Sequence, residues 1–383
     1  MRRRTVLLFF SYEQNIRKVM IMKVKLKPTV DHLTPYEPGR PMEAVKAEYG
    51  LTEVIKLASN ENPYGASKDV EQFLQNPSPS QIYPDGHAAS LRKTVAEHLD
   101  VQEDQLLFGA GSDEVILFLC RAILGPGTNT VMATPSFSQY KHNASIEGCE
   151  IIEVPLTSSG DHDLERMLAA INEETRIVWV CNPNNPSGNY INQDMFSSFM
   201  KKVPDHVLVV SDEAYVEYVE AQDYPDTIPM LETYDNLLIL RTFSKMYGLA
   251  GLRIGYGVGH RDLISKVEPL RPPFNTTTIA QQAAIIALAD TEFVQQCYEK
   301  NRAEKQRLRS YFEDQGYNVY PSETNFLLVN VQKNGSEVFQ ELMKQGVIVR
   351  SGVPLGFPEC IRLTVGSKEE NDTLIRAFNH LYS

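Results

Sequence analysis

From residue 106 onward the chain alternates short, unbroken apolar runs with longer stretches in which apolar positions recur every three or four residues. Runs such as VLVVS (207–211) and LLILRT (237–242) suit strands buried on both faces, because a strand with one wet face would alternate apolar and polar positions. The candidate strands are 106–109, 130–133, 150–154, 177–181, 207–211, 237–241 and 254–258. Helical periodicity fills most of the gaps, as at 113–124 and 163–171. This repetition predicts an α/β fold whose large domain has a mostly parallel central sheet covered by helices.

After a proline-rich turn at 269–273 the pattern changes. Two helical stretches, 278–289 and 293–312, lead to strand-like NFLLVNV, VIVR and CIRLTV, which surround a helix at 337–345; a last helix starts near Lys368. A smaller α+β domain is expected there. The resulting division is an N-terminal extension at 1–22, a segment at 23–60 joining the small domain, a large domain at 61–290 and a small domain at 291–383.

Composition narrows the function. With 383 residues, 42% of them hydrophobic and 22% charged, the chain has the make-up of a soluble globular enzyme of about two domains. A net charge of -12 opposes nucleic acid as the main partner, since that affinity rests on Lys and Arg neutralising phosphates. The five cysteines (120, 149, 181, 297 and 360) form no CxxC or Cys/His spacing and the eight histidines no HExxH. No metal site is expected, and the thiols read as reduced, which suits the cytoplasm. At the N-terminus, MRRRTVLLFF carries a continuous apolar run only at 6–10, shorter than a signal peptide requires. It reads as a non-targeting extension, with Met20 and Met22 as alternative starts. No stretch reaches the roughly 20 apolar residues that span a bilayer, so no membrane partner is expected.

Candidate chemistry collects at the C-terminal ends of the expected strands, where ligands of open α/β sheets sit. GAGSDE (109–114) ends one strand and opens a helix, offering the amides of Ser112 and Asp113 to a phosphate; alone it also reads as a glycine turn with an aspartate cap. NPNNPSG (182–188) holds Asn185 at the next strand end, or is only a turn. DEAY (212–215) places Asp212 at the mouth of the sheet, with Tyr215 beside it. RTFSKMYGLAGLRIG (241–255) adds the hydroxyl of Ser244, the amine of Lys245 and the guanidinium of Arg253. Any one of these is ordinary surface chemistry.

Together they meet the needs of pyridoxal phosphate: an amine for a Schiff base, an acid for the ring nitrogen, donors to the ring oxygen and a phosphate cup. In that reading Lys245 is the anchor and proton carrier, which requires an amine with a lowered pKa. Asp212 keeps the ring nitrogen protonated, Asn185 and Tyr215 donate to the ring oxygen, and Ser112, Asp113, Ser244 and Arg253 grip the phosphate.

At these residues the chain resembles the histidinol-phosphate aminotransferases, class II pyridoxal-phosphate enzymes of fold type I. The resemblance runs from about residue 32 to the C-terminus, in LTPYEPGRP, LASNENPYG, YPDGHAASLR, GAGSDE, CNPNNPSG, DEAYVEY, RTFSKMYGLAGLRIGYG, PFN, PSETNFLLV, GVIVRSG and CIRLTVG. It implies a homodimer in which Tyr83 reaches the cofactor phosphate of the other subunit, and a ring-stacking role for Phe137. It further implies a substrate-anion site formed by Arg350 and Arg362, with contributions from Tyr36 and Asn185. The implied reaction moves an amino group between L-histidinol phosphate and 2-oxoglutarate, giving imidazole-acetol phosphate and L-glutamate in histidine biosynthesis, ping-pong through pyridoxamine phosphate. The rivals are an aromatic (phenylalanine or tyrosine) aminotransferase, a pyridoxal-phosphate-dependent amino-acid phosphate decarboxylase, and a cofactor-binding regulatory module without catalysis.

Overall fold

The computed structural model describes residues 25–33, 39–77 and 80–381; the extension read at 1–22 and Tyr36 lie outside them. The first strand, β1 (Ile55–Lys56), belongs to the smaller part of the molecule. Seven further strands build the central sheet: β2 (Leu106–Gly109), β3 (Asn129–Thr134), β4 (Glu150–Pro155), β5 (Thr175–Cys181), β6 (Leu208–Asp212), β7 (Leu237–Thr242) and β8 (Gly255–Gly259). Their order across the sheet is β2-β8-β7-β6-β5-β3-β4. Only β8 runs against its neighbours, so the sheet is mostly parallel, as the apolar runs predict.

Alternate residues of these strands enter two different cores. Val178, Val180, Val209 and Ile239 pack on one face, Ile177, Trp179, Val210 and Leu238 on the other. This double burial is why the sequence shows unbroken apolar runs rather than alternation. Helices Ser112–Ile123 and Arg261–Val267 cover the second face, while Ala89–Leu99, Gln193–Met200 and the alanine-rich Thr278–Ala289 cover the first.

The C-terminal part carries β9 (Asn318–Val319), β10 (Phe326–Asn330), β11 (Val347–Ile348), β12 (Arg350–Ser351) and β13 (Cys360–Thr364). Four of them form an antiparallel sheet in the order β12-β13-β10-β9, and β11 pairs in parallel with β1. The single strand expected at VIVR is therefore two short ones, broken at Val349, each serving a different sheet. Helix Thr291–Asp314 runs two residues beyond the periodicity at 293–312 at each end, and at its start the Asp290 side chain accepts from the Phe293 amide as the N-cap.

Candidate active site

The parallel strands β2, β3, β5, β6 and β7 all end at one edge of the sheet, and the loops that leave them line a cleft of about 1380 Å³. After β2 the chain turns at Gly111 (φ 82°) into helix Ser112–Ile123, so the helix begins at Ser112 with Gly111 as its N-cap, and Asp113 is not the cap. The free amides and positive end of this helix face the cleft. Arg253, itself at φ 55° just before β8, lies alongside, its guanidinium 3.6 Å from Asp113 Oδ2 and bonded to the Ala110 carbonyl at 3.4 Å. A Cβ on Gly111 would meet the Arg253 Nη2 atom at 2.7 Å, and one on Gly255 would meet the Ser112 amide nitrogen at 2.5 Å. The glycines therefore allow helix end, arginine and sheet edge to close into one cup, which Ser244 also lines.

Loop 182–188 follows β5. Asn182 ties it to Ile191 by two hydrogen bonds, and Asn184 ties it to Ser136 and Ser187. Of the loop's three asparagines only Asn185 lines the cleft, accepting from Arg362 Nη1 at 2.6 Å and donating to the Tyr215 hydroxyl at 3.4 Å.

Asp212 is the last residue of β6, one position further into the strand than the run 207–211 suggests, because the ladder to Cys181 and Leu240 extends through it. It is 3% exposed. Its Oδ2 accepts from Tyr140 at 2.6 Å and its Oδ1 from the Ala214 amide at 3.2 Å. Burial pushes its carboxyl up to about 6, against the Tyr140 hydrogen bond, which holds it down. Tyr140 in turn stacks on Trp179 (4.8 Å, 9°), whose indole N–H is anchored on Thr130. Phe137, at the N-cap of the same helix Ser138–Glu147, meets the edge of Tyr140 at 5.5 Å and lines the cleft.

Lys245 is half-buried at the cleft floor, its Nζ on the Ser59 carbonyl at 3.3 Å and 5.8 Å from the Tyr215 ring centre. Burial first, and then the charge of Arg362, bring its amine down to about 8, while Asp113 and Glu61 pull the other way. A substantial neutral fraction near neutral pH is what a nucleophilic amine needs. Arg362 and Arg350 face each other directly in the β12–β13 ladder, and both line the cleft. Arg362 also holds the Ala58 carbonyl at 2.8 Å and lies over Phe326.

The structure thus brings together Ser112, Asp113, Phe137, Asn185, Asp212, Tyr215, Ser244, Lys245, Arg253, Arg350 and Arg362. Tyr83 does not join them: it is 79% exposed and stacked on Phe274 at 4.7 Å. The sequence reading missed Tyr140 and the segment Ala58, Ser59 and Asn60, whose three consecutive residues hold Arg362, Lys245 and Tyr215 respectively. Tyr140 had a readable signal, since it stands three residues beyond Phe137 on a helix and so shares its face.

The donor set fits pyridoxal phosphate: a helix N-terminus with Arg253 and Ser244 for the phosphate, a buried carboxylate for a ring nitrogen, and a half-buried amine of lowered pKa between them. The sequence matches the family model for aminotransferase class I and II over residues 52–378. It is 56% identical over 359 residues to the histidinol-phosphate aminotransferase of Geobacillus thermodenitrificans (strain NG80-2), covering 94% of this chain and 98% of the relative. It is 51% identical over 353 residues to that of Bacillus subtilis (strain 168), covering 92% and 98%. Among solved structures it is similar to the histidinol-phosphate aminotransferase of Sinorhizobium meliloti in complex with pyridoxal-5'-phosphate, with TM-score 0.84, 27% identity and coverage of 93% of this chain and 97% of that one.

Proposed function

Since the chain belongs to the class I and II aminotransferases and depends on pyridoxal phosphate, we propose that it exchanges an amino group between L-histidinol phosphate and 2-oxoglutarate, forming imidazole-acetol phosphate and L-glutamate for histidine biosynthesis. The observation that carries this reading is the arginine pair: Arg350 and Arg362 are opposed in the β12–β13 ladder, and both line the cleft that Lys245 lines. Two adjacent guanidinium groups suit a doubly charged phosphate, and one fork suffices for a carboxylate, so one site serves both the phosphate-bearing donor and the dicarboxylic acceptor.

Pyridoxal phosphate supplies the electron sink that stabilises charge on the substrate carbon when that carbon loses its proton. Lys245 Nζ would hold the cofactor and, as an amine of lowered pKa, would be the base that carries the substrate proton. Asp212 is the partner of the ring nitrogen and, held by Tyr140, keeps its charge aimed at that atom. Asn185 and Tyr215 would direct hydrogen bonds at the ring oxygen, Phe137 would pack on the ring, and Ser112, Asp113, Ser244 and Arg253 would hold the phosphate.

The same reading takes the active form to be a cytoplasmic homodimer in which Tyr83 completes the phosphate site of a second copy. Its support is that Tyr83 and Phe274 present a stacked aromatic pair to solvent and that neither lines its own cleft. Among the described residues no helix is long and apolar enough to cross a membrane.

The test records the visible spectrum of the cofactor-loaded protein while L-histidinol phosphate, L-phenylalanine and L-glutamate are added separately, with no keto acid. Conversion by histidinol phosphate and glutamate at far lower concentration than by phenylalanine supports the assignment. Equal conversion by phenylalanine broadens it to aromatic substrates, and release of carbon dioxide without amino transfer replaces it with a decarboxylase.

A further inference from the structure

Asn60 is 2% exposed and held at φ 56°, a left-handed conformation that asparagine tolerates better than most residues. Its hydrogen bonds run in one direction. The Asn60 backbone N–H, which can only donate, binds Thr364 Oγ1 at 3.0 Å. The Thr364 hydroxyl proton is then committed elsewhere, to Asn60 Oδ1 at 3.2 Å. With its oxygen so engaged, the Asn60 amide turns Nδ2 toward the Tyr215 hydroxyl, 3.0 Å away. On the other side Arg362, also donor-only, occupies Asn185 Oδ1 and so turns Asn185 Nδ2 toward the same hydroxyl. Tyr215 thus accepts from both sides, and its single proton is left to point into the cleft.

We propose that Asn60 and Thr364 are positioning residues that hold the Tyr215 hydroxyl as a donor into the cleft, by a hydrogen-bond chain whose direction is set at a backbone N–H. The proposal rests on the reading of Tyr215 as the donor to the cofactor's ring oxygen. It gives a task to β13, which supplies Thr364 from the small sheet, and to the loop after β1, which supplies Asn60. Among the described residues, the charged and titratable groups around Tyr215 are Lys245 after β7, Asp212 at the end of β6, Cys181 at the end of β5, Arg362 on β13 and Tyr218 three positions further along the chain. None of them takes the Tyr215 proton in this structure.

Removing a donor from the ring oxygen makes that oxygen easier to protonate, so the pH at which the bound cofactor's visible absorption changes must rise. In Asn60→Asp the side chain can only accept, and the Tyr215 proton turns away from the cleft. Wild-type protein, Asn60→Asp, Tyr215→Phe and the double variant are loaded with pyridoxal phosphate and titrated by absorption. Fluorescence of Trp179, the chain's one tryptophan, gives cofactor affinity, and thermal melting reports folding. The expected result is a midpoint raised by about one to two pH units in Asn60→Asp, as far as in Tyr215→Phe, with no further rise when the two are combined. An unshifted Asn60→Asp overturns the proposal. So does an equal additional shift in the Tyr215→Phe background, because Asn60 would then act without the hydroxyl. Should Asn60→Asp fail to fold, the neutral, isosteric Thr364→Val frees the amide to reverse: a raised midpoint supports the chain and an unchanged one overturns it. A wild-type protein with no lysine-bound absorption overturns the cofactor reading itself, and that outcome is distinct from either of the others.

Discussion

Arg350 and Arg362 occupy directly opposed positions of the β12–β13 ladder, with both side chains lining the same cleft as Lys245. Like charges placed opposite each other weaken a sheet, and an anion bound between them would offset part of that repulsion. Inorganic phosphate is therefore expected to raise the melting temperature of the wild-type protein and to do so much less in Arg350→Ala. In Arg362→Lys an ammonium cannot serve Asn185 Oδ1, the Ala58 carbonyl and a substrate anion together. Steady-state kinetics should show KM for both the phosphate donor and the dicarboxylate raised roughly 10- to 100-fold, the worth of one charged hydrogen bond at about 1.5–3 kcal/mol.

Lys245→Ala removes the amine of lowered pKa that lines the cleft. The visible absorption of lysine-bound cofactor should vanish and turnover should fall by at least about 10³-fold. If the neutral amine of Lys245, lowered to about 8, is the nucleophile, the rate of cofactor capture by the wild-type protein should rise with pH and level off above 8. A rate still climbing beyond pH 10 would mean that the capturing amine sits in ordinary solvent.

Asp212 links stability to pH with a definite sign. Its folded pKa, about 6, lies above the ordinary 3.8, so the cofactor-free protein binds this proton more tightly folded than unfolded. That contribution is complete below pH 3.8 and is lost as pH rises through about 6. Melting of cofactor-free Asp212→Asn should show a shallower decline over that window than the wild type, together with loss of activity. Tyr140→Phe strips the carboxylate of its 2.6 Å donor, and weaker quenching of Trp179 by added cofactor should report the poorer binding.

Next to Asp212 lies a buried ion pair outside the lining of the cleft. Glu213, 1% exposed, takes two hydrogen bonds from Arg241 as well as donors from Ser211 and Thr227. Glu213→Ala takes from a mostly buried guanidinium its two hydrogen-bonded carboxylate contacts, leaving it Glu217 and Tyr256, and should cost about 3 kcal/mol in a denaturant titration.

Gly255→Ala tests the cup. The added methyl would stand 2.5 Å from the Ser112 amide nitrogen and 2.8 Å from the Gly111 carbonyl carbon, both backbone, so the helix end must shift. Cofactor affinity measured by Trp179 fluorescence should fall at least about tenfold, one charge-assisted hydrogen bond's worth, while the protein still folds.

The alternation of apolar runs with helical periodicity was enough to determine a helix-covered, mostly parallel sheet, because doubly buried strands and amphipathic helices leave different spacings. The sequence also carried the site residues on the loops after β2, β5, β6 and β7, because in such a sheet every parallel strand delivers its C-terminal end to the same edge. Local pattern could not show that β8 runs antiparallel, that VIVR divides between two sheets, or that Arg350 meets Arg362 across a ladder, since pairing joins residues far apart in the chain. Nor could it assign Asn60, which stands 155 residues from Tyr215 and 304 from Thr364. In LASNENPYG an asparagine reads only as a turn. Its hydrogen bonds exist because folding lays that segment against β13 and the end of β6, and their direction is decided by which neighbours can only donate.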